Sequence, residues 1–192
     1  MTEMSGNSFK VRVLASILGV EYQNIRIDWE NREHKSTEFL KLNPRGQVPV
    51  MEIEGKILWD STAHLVYIAK KYGGDKWFPP APLEIAEIMQ WMSFAQNEVQ
   101  FGLQWARGVT IYGRRPESFE GYIADGKLAL QVLEKQLSVS EFVVGEYSIA
   151  DIAIWPWISR YEWQEINLSE FPNIRLWYQK ILSRDAVQKG YH

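Results

Sequence analysis

Three short stretches of this sequence combine residue types that can hold a peptide and make a thiol reactive. The first, Ser5-Gly-Asn-Ser-Phe-Lys-Val-Arg12, is a polar turn that runs into a helical apolar pattern. A helix start offers unpaired N–H groups and the positive end of the helix dipole, and both stabilise an anion. A thiolate is such an anion. A free thiol titrates near 8.5, so at neutral pH only a few per cent is in the nucleophilic form. The Ser5 hydroxyl or the Asn7 amide, donating to sulfur, shifts that balance, and the same residues fit a plain N-cap. The second stretch, Gln47-Val48-Pro49, opens a strand pattern with a proline. Proline removes one ladder donor, which leaves the Val48 backbone to pair with an extended peptide or marks an edge strand. The third, Asp60-Ser61, sits at a strand-to-helix junction. A carboxylate docks at such a terminus on the hydroxyl and the backbone N–H, and Asp60 suits an ammonium group; capping alone explains the pair equally.

A fourth stretch, Ser148-Ile-Ala-Asp151, has the capping-box spacing, with Tyr147 and Ile152 at the staple positions. It reads as the start of a buried helix and carries no catalytic assignment. Pro156 inside that helix is expected to kink it.

The elements that must position these residues follow from periodicity. Val11, Leu14 and Leu18 predict a helix over 5–19 that ends at Gly19. Gln23–Asp28 alternates polar and apolar and predicts a half-buried strand. Ser36–Leu42 predicts a short helix stopped by Asn43-Pro44. Val48–Ile53, a Glu54-Gly55 turn and Lys56–Trp59 predict a hairpin, and a helix with Leu65 and Ile68 follows Asp60-Ser61. Gly73-Gly74 and Pro79-Pro80 with Pro82 mark a stiff linker. Beyond it the patterns are helical throughout: 85–106, 119–137, 148–163 and 173–183. The expected organisation is a first domain over 1–73, a linker over 74–82 and an all-helical domain over 83–192.

Composition narrows the function classes. With 192 residues, a net charge of −3 and no Lys/Arg run, nucleic-acid binding has no electrostatic support. The chain has no cysteine, which excludes disulfides, Cys-ligated zinc and a cysteine nucleophile. His34, His64 and His192 are scattered, so no metal is expected. No apolar run approaches the roughly 18 residues of a membrane span, and the amino terminus carries no export pattern, so a cytoplasmic protein is the expectation. Nine Trp, nine Tyr and eight Phe build a core and leave rings to line an apolar pocket.

Taken together, Ser5–Arg12, Leu42-Asn-Pro-Arg-Gly-Gln-Val-Pro49, Asp60-Ser61 and Ser148–Pro156 resemble the glutathione transferase family over nearly the whole chain. The resemblance implies an α/β thioredoxin-like domain with a cis proline at Pro49, then an all-α domain. It implies glutathione as co-substrate and no metal. Ser5 falls where serine-type members stabilise the thiolate, and Asn7 where some bacterial members use an amide. Gln47 and Val48 with Pro49 fall at the cysteinyl backbone, Asp60 and Ser61 at the γ-glutamyl end. His34, Lys35 and Arg45 are candidates for the glycyl carboxylate. Phe101, Trp105, Arg107 and Tyr112 are candidates to line the pocket of a small hydrophobic electrophile.

The implied activity is detoxifying conjugation of glutathione sulfur to that electrophile. Glutathione-dependent reduction of disulfides or peroxides is a second reading, and non-catalytic binding of a hydrophobic ligand a third. A homodimer is implied, with the first helices of the bundle at the interface. The family carries a longer central strand before the serine. Here only Met1-Thr-Glu-Met4 precedes Ser5, which implies a very short strand or a start further upstream. His64 stands where the family often has an apolar residue and is expected to face solvent.

Overall fold

The computed structural model describes residues 5–160, 162 and 166–190. These form two compact units, one running through Phe78 and taking in the segment from Asp185, the other spanning Pro79–Arg184. The strand implied at Met1–Met4 lies outside the described residues.

In the first unit, α1 (Gly6–Leu18) is capped by Ser5, whose side chain accepts from the Ser8 amide at 3.2 Å. It ends on Gly19 in the left-handed conformation, as the sequence predicts. Its Phe9, Val13 and Leu14 are fully buried. A single 3₁₀ turn, Glu33–Lys35, leads into α2 (Thr37–Leu42), which is capped by Ser36. The predicted hairpin is present: β1 (Val50–Ile53) pairs antiparallel with β2 (Lys56–Trp59) in the register Val50–Trp59 to Ile53–Lys56. Positive φ at both Glu54 and Gly55 makes the connection a primed turn, whose twist suits a two-residue hairpin. Asp60 then caps α3 (Ser61–Ile68), which continues into one turn of π-helix over Ala69–Gly73. α3 packs on α1, and α9 (Asp185–Lys189) packs on the other end of α1, where the Arg12 guanidinium donates to the Gly190 carbonyl at 3.2 Å.

The strand expected at Gln23–Asp28 does not form. Those residues are irregular, and Ile25 is 67% exposed. A period-two pattern makes a strand only where a neighbouring strand supplies a ladder, and among the described residues the sheet has only β1 and β2. His64 also departs from expectation. Instead of facing solvent it is fully buried, with Nε2 3.0 Å from the Leu58 carbonyl, so it ties α3 to β2.

The second unit is helical throughout. α4 (Pro82–Phe94) starts with proline at its first position, passes into a π-helical stretch over Ala95–Gln104 and resumes as α5 (Trp105–Tyr112). Gly102 in that stretch lies against Gly126 of α6 (Phe119–Leu137). A Cβ on Gly102 would sit 2.4 Å from the Gly126 nitrogen, so only glycine permits this crossing. α7 (Ile149–Ile158) is buried on every face, as its unbroken apolar sequence requires. It stops two residues after Pro156, short of the predicted end at Trp163, which lies outside the described residues. α8 (Pro172–Leu182) closes the unit. No helix among the described residues is long and apolar enough to cross a membrane.

Candidate functional site

The candidate site in the first unit is built on two helix N-termini and the loop before β1. At α1, the Ser5 oxygen accepts the Ser8 amide, which leaves the hydroxyl hydrogen to donate elsewhere. Asn7, one turn into the same helix, has a buried side-chain carbonyl with no hydrogen-bond partner among the described residues. The two side chains weighed as thiolate partners therefore share the first turn of α1, where the N–H groups are unpaired and the dipole is positive.

The loop Asn43–Gln47 is braced from several sides. Buried Asn43 donates to the Gln47 carbonyl at 2.7 Å and accepts the Arg45 amide at 3.0 Å. Lys35 reaches across to the Gly46 carbonyl at 2.8 Å and the Arg45 carbonyl at 3.3 Å. Gly46 has φ +57, and a Cβ there would meet the His34 carbonyl and the Lys35 ammonium at 2.8 Å, so the loop needs glycine. The result is a fixed Val48–Pro49 segment with a cis peptide bond, as the resemblance implies, entering β1.

Arg45 joins this loop to α3. Its Nη1 lies 2.9 Å from the Asp60 carboxylate, while its guanidinium covers the Trp59 ring at 5.9 Å. Asp60 holds φ +83, a region L-residues rarely occupy, and its second oxygen accepts the Thr62 amide at 2.9 Å. Burial pushes the Asp60 carboxyl upward, but the Thr62 amide and Arg45 outweigh that and hold it below its ordinary value. Ser61, the first residue of α3, is buried, and its hydroxyl has no partner among the described residues. An anionic group brought to this helix end finds an unspent hydroxyl beside unpaired N–H groups.

Two of the carboxylate candidates are already engaged. Lys35 is committed to the loop carbonyls. The His34 ring is buried and stacked on Trp29, with centroids 3.9 Å apart and planes 8° from parallel. Arg45 keeps a partly exposed side chain while it bonds Asp60.

Sequence reasoning missed Lys10. This lysine of α1 is 1% exposed, and burial lowers its ammonium to about 7, with the Asp60 carboxylate partly opposing the shift. A lysine among apolar neighbours one turn after a polar N-terminus is the only sequence signal it gives. Asn43 was missed for a different reason, since in sequence it reads as a helix stop.

In the second unit, Phe101 and Trp105 stack at 6.1 Å, and Trp105 also meets Tyr122 at 5.8 Å. Phe101 and Tyr112 are exposed. Arg107 is buried, and burial lowers its guanidinium, opposed by a hydrogen bond with Tyr112. Two further cations join the group unanticipated: Arg115 lies over Trp105 at 5.3 Å and Arg114 over Tyr112 at 4.9 Å.

Comparison with known proteins matches both halves of this arrangement. Residues 3–70 match the model of the glutathione S-transferase N-terminal domain, and residues 125–185 that of the C-terminal domain. The chain is 28% identical to the disulfide-bond oxidoreductase YfcG of Escherichia coli K12, over 94% of this chain and 88% of the relative. It is similar to the crystal structure of a glutathione S-transferase from Pseudomonas fluorescens Pf-5, with TM-score 0.89 and 32% identity over 96% of this chain and 93% of that one. It is also similar to the glutathione transferase URE2P6 of Phanerochaete chrysosporium in complex with oxidized glutathione. The TM-score there is 0.90, with 30% identity over 98% of this chain and 91% of that one.

Proposed function

The chain belongs to the glutathione S-transferase family, and from that premise we propose that it holds glutathione as the thiolate and passes its sulfur to a second, disulfide-bearing substrate. One observation carries this reading: in the first unit, the donors at both helix N-termini are unspent. The Ser5 hydroxyl hydrogen and the Asn7 side chain face the first turn of α1, and the Ser61 hydroxyl opens α3. In this reading the γ-glutamyl carboxylate takes the Ser61 end and its ammonium takes Asp60. The cysteinyl backbone pairs with Val48, with Gln47 beside it, and Arg45 is the glycyl-end candidate left with an exposed guanidinium face. The sulfur then lies in the field of the α1 terminus.

With no cysteine in the chain, every sulfur step uses glutathione itself. The bound thiolate attacks one sulfur of the disulfide substrate, forms a mixed disulfide with it and expels the other sulfur as thiolate. A second glutathione thiolate attacks the mixed disulfide, giving oxidised glutathione and releasing the second substrate thiol. The protein supplies the lowered thiol pKa and the fixed geometry, and forms no covalent bond. The similarity to a disulfide-bond oxidoreductase and to a transferase holding oxidized glutathione supports this choice of acceptor. The arginines at Arg107, Arg114 and Arg115 suit a carboxylate-bearing disulfide.

Conjugation to an electrophilic carbon is the second reading. It is favoured by the transferase family models and by the exposed Phe101–Trp105 stack, which suits a flat apolar substrate. Turnover assays with glutathione and hydroxyethyl disulfide, a chlorodinitrobenzene or an organic peroxide separate the two. The proposal expects the disulfide to give the highest kcat/KM, and preference for the aryl halide would select conjugation. A homodimer also belongs to this reading. The open apolar groove lined by Phe94, Phe101, Leu128 and Val132 supports it, and sedimentation of a single monomeric species would contradict it.

A further inference from the structure

The sheet of the first unit ends too early for the hydrophobic surface around it. Two strands alone are marginal in water, and a sheet ordinarily needs a third to be stable. In a two-residue hairpin the Ile53–Lys56 pair beside the turn exchanges both ladder bonds, so pairs alternate and Val50 and Glu52 turn their backbone groups away from β2. That outer edge of β1 is unpaired among the described residues. It runs between two hollows, one on each face of the sheet. The first, about 560 Å³, is lined by Val11 and Ala15 of α1, His64 and Ile68 of α3, and Met51 and Ile53 of β1. The second, about 450 Å³, is lined by Phe39 and Leu42 of α2 with Ile27, Val48, Val50 and Ile57.

Both hollows reach Val50, Glu52 and exposed Ile25. Buried His64 spends Nε2 on Leu58, and its Nδ1 has no partner among the described residues. The charged residues lining the two hollows are all glutamates: Glu21, Glu52 and Glu54 in one, Glu33, Glu38 and Glu52 in the other.

We propose that the free edge of β1 is a docking slot for an extended peptide strand supplied by a partner, apolar at consecutive positions and flanked by lysine or arginine. Strand addition satisfies the Val50 and Glu52 backbone groups. Side chains alternate across a strand, and apolar hollows wait on both faces, so both parities must be apolar, as in a strand buried on two sides. The glutamate rim selects basic flanks and excludes acidic ones. The site is separate from the glutathione contacts proposed above.

The test is calorimetric titration of the full chain with three synthetic peptides: Lys-Lys-Ile-Val-Leu-Val-Lys-Lys, its counterpart with serine at every second apolar position, and its counterpart N-methylated at alternate amides. The first binds one to one and raises Tm. The serine and N-methyl peptides bind at least about tenfold more weakly. Glu52→Lys, an exposed rim change, weakens the first peptide at least about fivefold while Tm of the free protein stays put. Equal binding of all three peptides, binding unaffected by Glu52→Lys, or displacement by glutathione overturns the proposal. So does a dimer that the first peptide dissociates, because a second copy then occupies the slot.

Discussion

Two helices of this protein begin with the same residue types and differ in what those residues have left to give. At α7, Ser148 and Asp151 form a closed capping box: Ser148 accepts the Ala150 amide, and Asp151 takes the Ser148 amide at 3.0 Å, the Val143 amide at 3.1 Å and the Trp177 indole N–H at 2.9 Å. Nothing there is exposed. At α3, Asp60 sits in a left-handed conformation, is partly open to solvent, and is followed by a serine whose hydroxyl has no partner among the described residues. A structural terminus is saturated by its own protein, whereas a terminus built for a ligand keeps a donor in reserve and carries backbone strain that the fold must offset. Sequence alone cannot separate the two, since each reads as serine beside aspartate at a helix start.

The sharpest way to break this contrast is Asp151→Ala. It strips three buried N–H donors of their acceptor, so it should lower stability by about 3 kcal/mol in chemical denaturation. KM for glutathione should not change in the enzyme that remains folded. An unshifted denaturation midpoint would show that the box is not the saturated structural device described. Ser5→Ala comes next. Loss of the hydroxyl donor should lower turnover at least about tenfold, roughly 1.4 kcal/mol, at unchanged Tm. If Asn7→Ala carries that loss and Ser5→Ala does not, the amide is the thiolate partner.

The elements were legible wherever the signal was local. The α1 stop at Gly19, the Glu54-Gly55 hairpin and the Ser148–Asp151 box are each fixed by residues within a few positions, and all three appear as predicted. Gln23–Asp28 failed because strand formation depends on a distant partner that local alternation does not report. His64 failed because its burial rests on a single acceptor, the Leu58 carbonyl, that no pattern marks. In the candidate site, Asp60 and Ser61 were readable from type and spacing, while the Arg45–Asp60 bridge and the Lys35 brace come from the fold. Lys10 was invisible because burial of a charge leaves no trace in sequence.

Smaller effects refine the comparison. Ser61→Ala should raise KM for glutathione about fivefold, near 1 kcal/mol, with turnover and Tm nearly constant, as expected for a donor used only by a ligand. A Tm drop without a KM change would make Ser61 another structural cap.

Lys10 gives the subtlest test. Its folded pKa near 7 lies below the ordinary lysine value, so between pH 7 and the unfolded pKa the unfolded chain binds more protons. Stability should therefore rise with pH across about 7 to 9.5, and Lys10→Met should abolish that rise. A parallel pH dependence in the two proteins would show that the ammonium is not desolvated as described.

The central claim is that the α1 terminus holds glutathione sulfur as an anion. The most direct measurement is the ultraviolet thiolate absorbance of glutathione bound to the protein, titrated against pH. The account predicts a pKa at least one unit below that of free glutathione, returning toward the free value in Ser5→Ala or in Asn7→Ala. Bound glutathione that titrates like the free thiol would contradict it.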